Sequence, residues 1–256
     1  MKTHAYPLFY ADAHFVPGQQ LILEQNDAHH LQKSLRAHTG DTIEVTNGKG
    51  FIAEGCISAL KRNAAIIDIK NVREIPPCPT RMIMGLGLGK WPRMEDAIEK
   101  LTEMAIGSIW IYQGEFTGFQ HDGELNRKHN RILKIMIEAM KQAHHPFLPD
   151  IRFFKTITSL LDELPPGIPL VLPNEIQAGR QQNQWPPPAR EWCAIIGPPG
   201  GFSCAELAAL KNRHAFNISL GPSILRSETA AVATAAIMQQ ISGNILHCWT
   251  KPEKRA

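Results

Sequence analysis

The sequence predicts an α/β protein with a small, mostly β N-terminal domain and a larger C-terminal domain built on a parallel sheet. Up to about Glu74 the apolar residues alternate in short segments, and after it apolar runs alternate with segments of helical periodicity. Between the two patterns, residues 75–79 contain three prolines, which neither a central strand nor a helix interior accommodates. We therefore place the domains at residues 1–74 and 75–256.

In the N-terminal domain, Thr42–Thr46 alternates polar and apolar residues and then meets Asn47-Gly48, a strong signal for a β-hairpin. Residues 51–57 and 65–69 continue the pattern as strands. A short helix is expected near residues 27–35.

In the C-terminal domain, short apolar runs typical of buried strands cover residues 81–88, 108–112, 151–154, 169–172, 193–196 and 217–220. Between them, Met94, Ile98, Leu101 and Ala105 recur at helical spacing, and residues 127–142 and 228–240 predict two further helices. Strands that alternate with helices in this way predict a mainly parallel sheet covered by helices.

Composition limits the class of protein. The chain has 256 residues, enough to bury a full core, and no stretch approaches the ~20 apolar residues that span a bilayer. Its first residues lack the apolar core of a secretory signal, so we expect a cytoplasmic protein without a membrane segment. The net charge of +3 permits a nucleic-acid partner without arguing for one.

Neither cysteine nor histidine spacing predicts a metal site. The cysteines lie far apart and include no C-x-x-C pair, so buried or incidental thiols are expected rather than a disulfide framework. They are Cys56, Cys78, Cys193, Cys204 and Cys248. The pairs His29-His30 and His144-His145 are adjacent in sequence, and their side chains would point in different directions.

Two loops near the C-terminus carry the strongest functional signal. Residues 196–202 read I-G-P-P-G-G-F, and residues 220–230 read L-G-P-S-I-L-R-S-E-T-A. Each follows an apolar run and leads into a helix, so both should lie at the carboxyl ends of neighbouring parallel strands, where open α/β sheets bind ligands.

Residues typical of a helix start accompany each loop. Directly after the first loop, Ser203 and Glu206 form a capping box. In the second, Ser227 can cap the helix, and Glu228 falls in its first turn beside the positive end of the helix dipole. Arg226 stands at the junction, a poor place for a core residue.

Two nucleotide-binding motifs match only in part. The first loop lacks the Lys-Ser/Thr of a phosphate-binding P-loop. The run Gly85-Leu86-Gly87-Leu88-Gly89-Lys90 resembles a dinucleotide fingerprint, but Lys90 replaces its third glycine. A glycine-rich strand end explains the run better, and a nucleotide-dependent enzyme remains a weaker alternative.

The pair G-P-x-G-G and L-G-P-x-I-L-R-x-E-T-A resembles the RsmE family of ribosomal RNA methyltransferases, in the SPOUT superfamily of knotted enzymes. The resemblance covers most of the chain: His29-His30-Leu31 with Leu35-Arg36 is similar to a segment of the family's N-terminal domain. Lys90 and Arg93, with Glu99-Lys100, Glu103 and Gly107, are similar to its K-x-x-R and K-x-x-E-x-x-x-G pattern.

This resemblance implies an N-terminal PUA-like β-barrel that helps to bind RNA and a C-terminal trefoil-knotted SPOUT domain that works as a homodimer. The implied reaction is methyl transfer from S-adenosylmethionine to N3 of a uridine in small-subunit (16S) ribosomal RNA, with free RNA or the small ribosomal subunit as partner.

The resemblance also implies the site residues. Arg226 is the candidate that stabilises the uracil anion, and Glu228 is a possible base, although its position at the helix start explains it equally well. The implied RNA-binding residues are His30, Arg36, Lys90 and Arg93. The implied cofactor-binding residues are Leu172, Ile196, Gly197, Pro198, Gly200, Gly201, Leu220, Gly221, Ile224 and Leu225.

The sequence departs from the family pattern at several polar positions. Pro199 replaces the glutamate of G-P-E-G-G, Phe116 replaces the arginine of E-R-S, and Ser223 replaces a frequent arginine. Gln142-Ala143-His144-His145 stands where the long helix of the family ends in Q-S-x-R. These departures support an alternative: a catalytically silent RNA-binding relative of the same fold.

Overall fold

The computed structural model describes residues 6–78, 80–117, 122–174, 186–187 and 189–242. The chain forms two compact units. Unit 1 consists of Met1–Pro77 and Met140–Leu148, and unit 2 of Cys78–Ala139 and Pro149–Ala256.

Unit 1 contains a five-stranded sheet in the order β1-β3-β4-β5-β2. Its strands are β1 (Leu8–Tyr10), β2 (Gln20–Glu24), β3 (Thr42–Thr46), β4 (Phe51–Lys61) and β5 (Ala64–Glu74). β1 is parallel to β3, and the other neighbours are antiparallel. After β2 the chain forms the short helix α1 (Gln25–His29) and a π-helical turn over His30–Ser34. The core of this unit contains Phe9, Leu23, Leu31, Ile43, Ile57 and Ile67, each no more than 2% exposed.

The sequence-based expectations for unit 1 are largely confirmed. β3 has the expected bounds, and β4 and β5 contain residues 51–57 and 65–69 but extend further. Asn47 and Gly48 do join an antiparallel pair: the side-chain oxygen of Asn47 accepts from Lys49 N at 2.9 Å, and Gly48 has a φ of +72°. β1 and β2 were not among the predicted strands.

Unit 2 contains a six-stranded sheet in the order β11-β9-β10-β6-β7-β8, and every neighbouring pair is parallel. The strands are β6 (Arg81–Gly87), β7 (Ser108–Tyr112), β8 (Asp150–Phe154), β9 (Leu170–Pro173), β10 (Glu191–Ile196) and β11 (Phe216–Ile218). The helices are α2 (Trp91–Glu103), α3 (Asp122–Ala143), α4 (Ile157–Asp162), α5 (Cys204–Asn212) and α6 (Ser227–Ile241). The end of α3, from Met140 on, belongs to unit 1. The predicted α/β class with a parallel sheet is therefore confirmed.

Helices pack on this sheet through their apolar residues. Ile157 and Leu160 of α4 and Leu210 of α5 share one buried cluster with Trp110 of β7 and Cys193 of β10. Helix α6 contacts α2, β6 and β10. Small side chains allow that close contact, because Ala231 and Ala235 of α6 are completely buried.

Several details differ from the expectations. The last strand ends at Ile218, two residues before the expected end, and Ala105 lies beyond α2 with a φ of +55°. Helix α4 was missed, although Thr156 and Ser159 form a capping box at its start. Cys78 is disulfide-bonded, so the expectation of incidental thiols is wrong for this residue. Among the described residues, none of the helices is both long and apolar enough to cross a membrane.

Candidate functional site

The three strands β9, β10 and β11 end at the same level of the sheet. Ile218 of β11 pairs with Pro173 of β9, and the register of β10 on β9, extended by two residues, places Ile196 beside Pro173 as well. Beyond the strands, Asn174 N donates to the carbonyl of Ile218 at 3.0 Å. The two glycine-containing loops therefore leave the sheet from one edge.

The strands before these loops are not neighbours, so that expectation is wrong. β9 lies between β10 and β11. Strands in a sheet are about 4.8 Å apart, which separates the starts of the two loops by roughly 10 Å. The local sequence does not reveal the order of strands, because that order is decided by how the connecting segments cross the sheet.

On one side of this edge the loop after β10 is packed tightly. Pro198 is buried, and a Cβ at Gly87 would overlap its backbone nitrogen. A Cβ at Gly114 would lie 2.7 Å from its Cγ. At Gly85 a Cβ would lie 2.5 Å from Cδ1 of Ile195. The glycines that resemble a dinucleotide fingerprint are thus accounted for by close packing.

The capping box predicted at Ser203 and Glu206 is confirmed and has a second role. The Ser203 hydroxyl accepts from Glu206 N at 3.2 Å, and the Glu206 carboxylate accepts from Ser203 N at 2.7 Å. Its other oxygen accepts from Glu115 N at 3.1 Å, although Glu206 is only 7% exposed. This buried carboxylate therefore ties the loop after β10 to the loop after β7.

Tyr112 fixes the end of β10 from the neighbouring part of the sheet. Its hydroxyl donates to the carbonyl of Ile196 at 2.9 Å, and the side chain is fully buried. Burial, with a smaller contribution from the charge of Glu206, holds the pKa of Tyr112 well above its usual value. The hydroxyl stays protonated and keeps donating at neutral pH.

Further along the two loops, at Gly201 and Gly221, the backbone is open. Gly201 and Gly221 have φ values of +76° and +131°, and no non-neighbouring atom of the described chain lies within 4 Å of where their Cβ atoms would be. Ser219 supports the second loop, since its hydroxyl donates to Gly221 O at 3.1 Å and accepts from Gly221 N at 3.3 Å. Ile224 is 76% exposed. A ligand can approach this backbone closely.

The predicted cofactor-binding residues differ in what they offer. The side chains of Leu172 and Ile196 are each 3% exposed, and Pro198 is buried, so a ligand at the surface would reach mainly their backbone. The exposed or half-buried members of the set are Gly197, Gly200, Gly201, Leu220, Gly221, Ile224 and Leu225.

The predicted catalytic residues lie at the start of α6. Arg226 is exposed and is the N-cap residue, without a side-chain capping bond to any described residue. The expectation that Ser227 caps this helix is wrong: it is the first helical residue, and its hydroxyl donates to Glu228 at 3.3 Å. The Glu228 carboxylate lies 3.9 Å from Nε of Arg93, so a predicted RNA-binding residue faces a predicted catalytic one.

A small cavity lies between the end of β10 and the start of α6. Its volume is about 10 Å³, and its lining includes Ile196, the last residue of β10, and Ser227 and Glu228, the first residues of α6. The volume is near the lower limit for one water molecule. The strand end before the first loop therefore lies close to the helix start after the second.

The remaining RNA-binding predictions fall in both units. In unit 1, His30 is exposed and contacts the Phe9 ring edge-on at 6.0 Å, and Arg36 is exposed with a φ of +50°. In unit 2, Lys90 is the exposed N-cap residue of α2.

A larger cavity, not predicted from the sequence, lies at the carboxyl ends of β7 and β8, and we call it the β7–β8 pocket. Its volume is about 450 Å³. It is lined by Gln113, Gly114, Glu115, Thr117, Lys155, Thr156, Ile157, Thr158, Ala205 and Glu206. The polar run that follows β8 was the available signal, but only the sheet order shows that it meets the loop after β7.

The protein combines a parallel sheet, two glycine-containing loops at one of its edges and a separate β unit. Comparison with known proteins identifies the family in which this combination occurs. The family model described as "RNA methyltransferase domain" matches residues 76–239, and the model "RNA methyltransferase PUA domain" matches residues 23–70. The chain belongs to this RNA methyltransferase family. The resemblance noted in the sequence is thereby confirmed.

Individual relatives agree with this assignment. Ribosomal RNA small subunit methyltransferase E of Mycobacterium bovis is 24% identical over 236 residues, 90% of each chain. A Legionella pneumophila methyltransferase solved with the cofactor S-adenosylmethionine (SAM) is 25% identical with a TM-score of 0.82, over 93% of this chain and 98% of that one. Ribosomal RNA small subunit methyltransferase E from Neisseria gonorrhoeae, bound to S-adenosylmethionine, is 22% identical with a TM-score of 0.80 and the same coverages.

Proposed function

We propose that this protein transfers a methyl group from S-adenosylmethionine to N3 of a uridine in small-subunit ribosomal RNA. The observation that carries the proposal is the common edge at which β9, β10 and β11 end, with two open glycine-containing loops above it. The family assignment and the relatives named above support the same reaction.

The residues at this edge fit the proposed cofactor. Gly201 and Gly221 leave open space beside their backbone, so amides and carbonyls are accessible to the polar edge of an adenine. Leu220 and Leu225 are half-buried and Ile224 is exposed, which leaves aliphatic surface for its faces. Most small-molecule sites combine apolar walls with a few polar groups in this way.

When bound, S-adenosylmethionine supplies a methyl group that its sulfonium has already activated, so the chain must align the reactants and handle one proton. Glu228 accepts the proton of the uracil imide, the N3–carbon bond forms as the carbon–sulfur bond breaks, and the neutral thioether leaves. Arg226 stabilises the negative charge that develops on the uracil ring.

The modified position lies on the pairing edge of the base, so the uridine must be unpaired and unstacked when it reacts. We assign RNA binding to His30 and Arg36 of the domain at residues 1–74, and to Lys90 and Arg93 of the domain at residues 75–256. These side chains can contact phosphates and so position the RNA.

The assembly and location of the enzyme are part of the proposal. We infer a homodimer whose SPOUT domains are trefoil-knotted, acting in the cytoplasm on ribosomal RNA or the small subunit. Analytical ultracentrifugation of the full chain tests the dimer, and a monomer at micromolar concentration contradicts it.

The function is tested by two measurements on the full chain. Calorimetric titration should give binding of S-adenosylmethionine and much weaker binding of ATP or NAD, the ligands expected for a nucleotide-dependent enzyme. Methylation at N3 blocks base pairing, so ribosomal RNA from cells that carry the gene should arrest reverse transcriptase at one uridine. Ribosomal RNA from cells in which the gene has been deleted should not.

The departures from the family pattern support one other function, that of a catalytically silent RNA-binding relative. It predicts ribosomal RNA binding with an arrest pattern that gene deletion leaves unchanged. That result would exclude the methyltransferase.

A further inference from the structure

We propose that Phe116 and the β7–β8 pocket bind an unpaired RNA base next to the uridine that is methylated. The inference rests on the proposed function, since it deepens how the same edge of the sheet would hold its substrate. It adds a specificity site to the cofactor loops and to the charged residues at the start of α6.

Phe116 is displayed on a turn whose backbone is fixed. Its side chain is 61% exposed, unusual for an aromatic residue in a unit with a well-filled core. On one side Glu115 N donates to the buried Glu206 carboxylate at 3.1 Å. On the other, Thr117 N donates to Gly114 O at 2.9 Å and its hydroxyl to Leu88 O at 3.3 Å. The backbone that carries the exposed ring is therefore held in place by hydrogen bonds of its two neighbours.

The turn lies beside both the cofactor loop and the β7–β8 pocket. A Cβ at Gly200 would lie 3.2 Å from the Cβ of Phe116. Glu115 and Thr117, which flank the ring, both line the pocket. β7 is two strands away from β10, or roughly 10 Å along the edge, so the pocket suits a nucleotide beside the reacting one.

The neutral part of the pocket lining fits a nucleotide, since Gln113, Thr156 and Thr158 supply hydrogen-bonding groups. Lys155 is exposed at its wall and can contact a phosphate. The wall also holds two carboxylates, of which that of Glu206 already accepts hydrogen bonds from Ser203 N and Glu115 N. The volume of about 450 Å³ is in the usual range for small-molecule sites. Proteins that bind single-stranded RNA commonly stack its bases on exposed aromatic rings beside basic side chains.

The test measures binding of a short fluorescein-labelled oligouridylate to the full chain by fluorescence anisotropy, without S-adenosylmethionine. Phe116→Leu keeps an apolar side chain but removes the flat ring, and Phe116→Trp keeps a ring. We expect Phe116→Leu to bind about 10-fold more weakly and Phe116→Trp to bind like the unmodified protein. S-adenosylmethionine affinity, measured by calorimetry, should be unchanged in Phe116→Leu.

Lys155→Gln provides an independent measurement on the pocket. It should weaken binding and reduce by about 1 the slope of log affinity against log salt concentration, whereas Phe116→Leu should leave that slope unchanged.

The proposal is overturned if Phe116→Leu binds RNA like the unmodified protein, or if it changes the sedimentation coefficient, which would assign the ring to a second copy of the chain. It is also overturned if the unmodified protein does not bind the oligouridylate. Failure of the proposed function looks different: the unmodified protein would not bind S-adenosylmethionine, and gene deletion would leave the arrest pattern unchanged, whatever the Phe116 variants do.

Discussion

The glycines at one edge of the sheet in unit 2 form two groups, packed and open, which we call the closed side and the open side, and glycine is required for a different reason in each. On the closed side, Gly87 and Gly114 leave space that Pro198 fills. On the open side, Gly201 and Gly221 have positive φ values and open space beside them.

The difference indicates how this protein separates stability from binding. The closed side holds the loop after β10 in place by packing, by the Tyr112 hydrogen bond and by the Glu206 carboxylate. Because the loop is anchored in this way, its backbone a few residues later can stay open to a ligand. Substitutions of the packed residues Gly87 and Tyr112 should therefore reduce stability, whereas substitutions of the exposed loop residues Gly200 and Arg226 should reduce binding or turnover.

The largest expected effect is that of Gly87→Ala. The new Cβ would overlap the backbone nitrogen of Pro198, which cannot move as a flexible side chain would. We therefore expect the free energy of unfolding to fall by about 3 kcal/mol or more. Urea denaturation measures the loss. Gly201→Ala is the matched control and should cost only about 1 kcal/mol, the usual penalty for a side chain at positive φ. Equal losses would remove the distinction between the two sides.

Next in size is Arg226→Ala, which should lower the methylation rate at saturating substrates about 100-fold, because a positive charge beside the uracil anion is lost. Arg226 is exposed, so the urea midpoint should change little. Lys211→Ala, which removes an exposed positive charge from α5, is the control. A rate equal to that of the control would exclude the proposed role of Arg226.

A smaller effect is expected for Gly200→Val. The branched side chain would fill the approach to the loop backbone, and we expect S-adenosylmethionine to bind at least about 10-fold more weakly by calorimetry, which corresponds to about 1.4 kcal/mol. Because a Cβ at Gly200 would lie 3.2 Å from the Cβ of Phe116, the urea midpoint is measured as well, with Ala208→Val, at an exposed site on α5, as the control. Unchanged affinity in a folded variant would exclude this loop from the cofactor site.

The smallest effect belongs to Tyr112→Phe on the closed side. Loss of the hydrogen bond to Ile196 should reduce stability by about 1 kcal/mol at neutral pH. The folded-state pKa of Tyr112 lies above the unfolded value of 10.0. The stability that its protonated hydroxyl contributes is therefore complete below pH 10 and declines as the pH rises above it. Urea denaturation at several pH values should therefore give a difference between the two proteins that shrinks above pH 10, and a constant difference would contradict the raised pKa.

Local patterns allowed much of this molecule to be predicted. The alternation at Thr42–Thr46, the hairpin at Asn47-Gly48 and the Ser203–Glu206 capping box depend on residues close together in the chain, and all three were correct. The cap at Ser227 was wrong, because one residue of offset at a helix start is decided by the exit direction of the preceding loop. The disulfide at Cys78 was not predicted, because the spacing of the cysteines in the sequence does not indicate a pairing.

By itself the sequence determined the alternation of strands and helices, the position of the two glycine-containing loops and the family to which they point, since each follows from side-chain periodicity or from a contiguous motif. The tertiary structure alone decided that β9 separates β10 from β11, that Glu206 reaches the turn after β7, and that Phe116 lies beside Gly200. These are contacts between residues far apart in the chain. They are decided by how the helices cross the sheet, and a linear pattern of apolar and polar residues does not encode that geometry in any local segment.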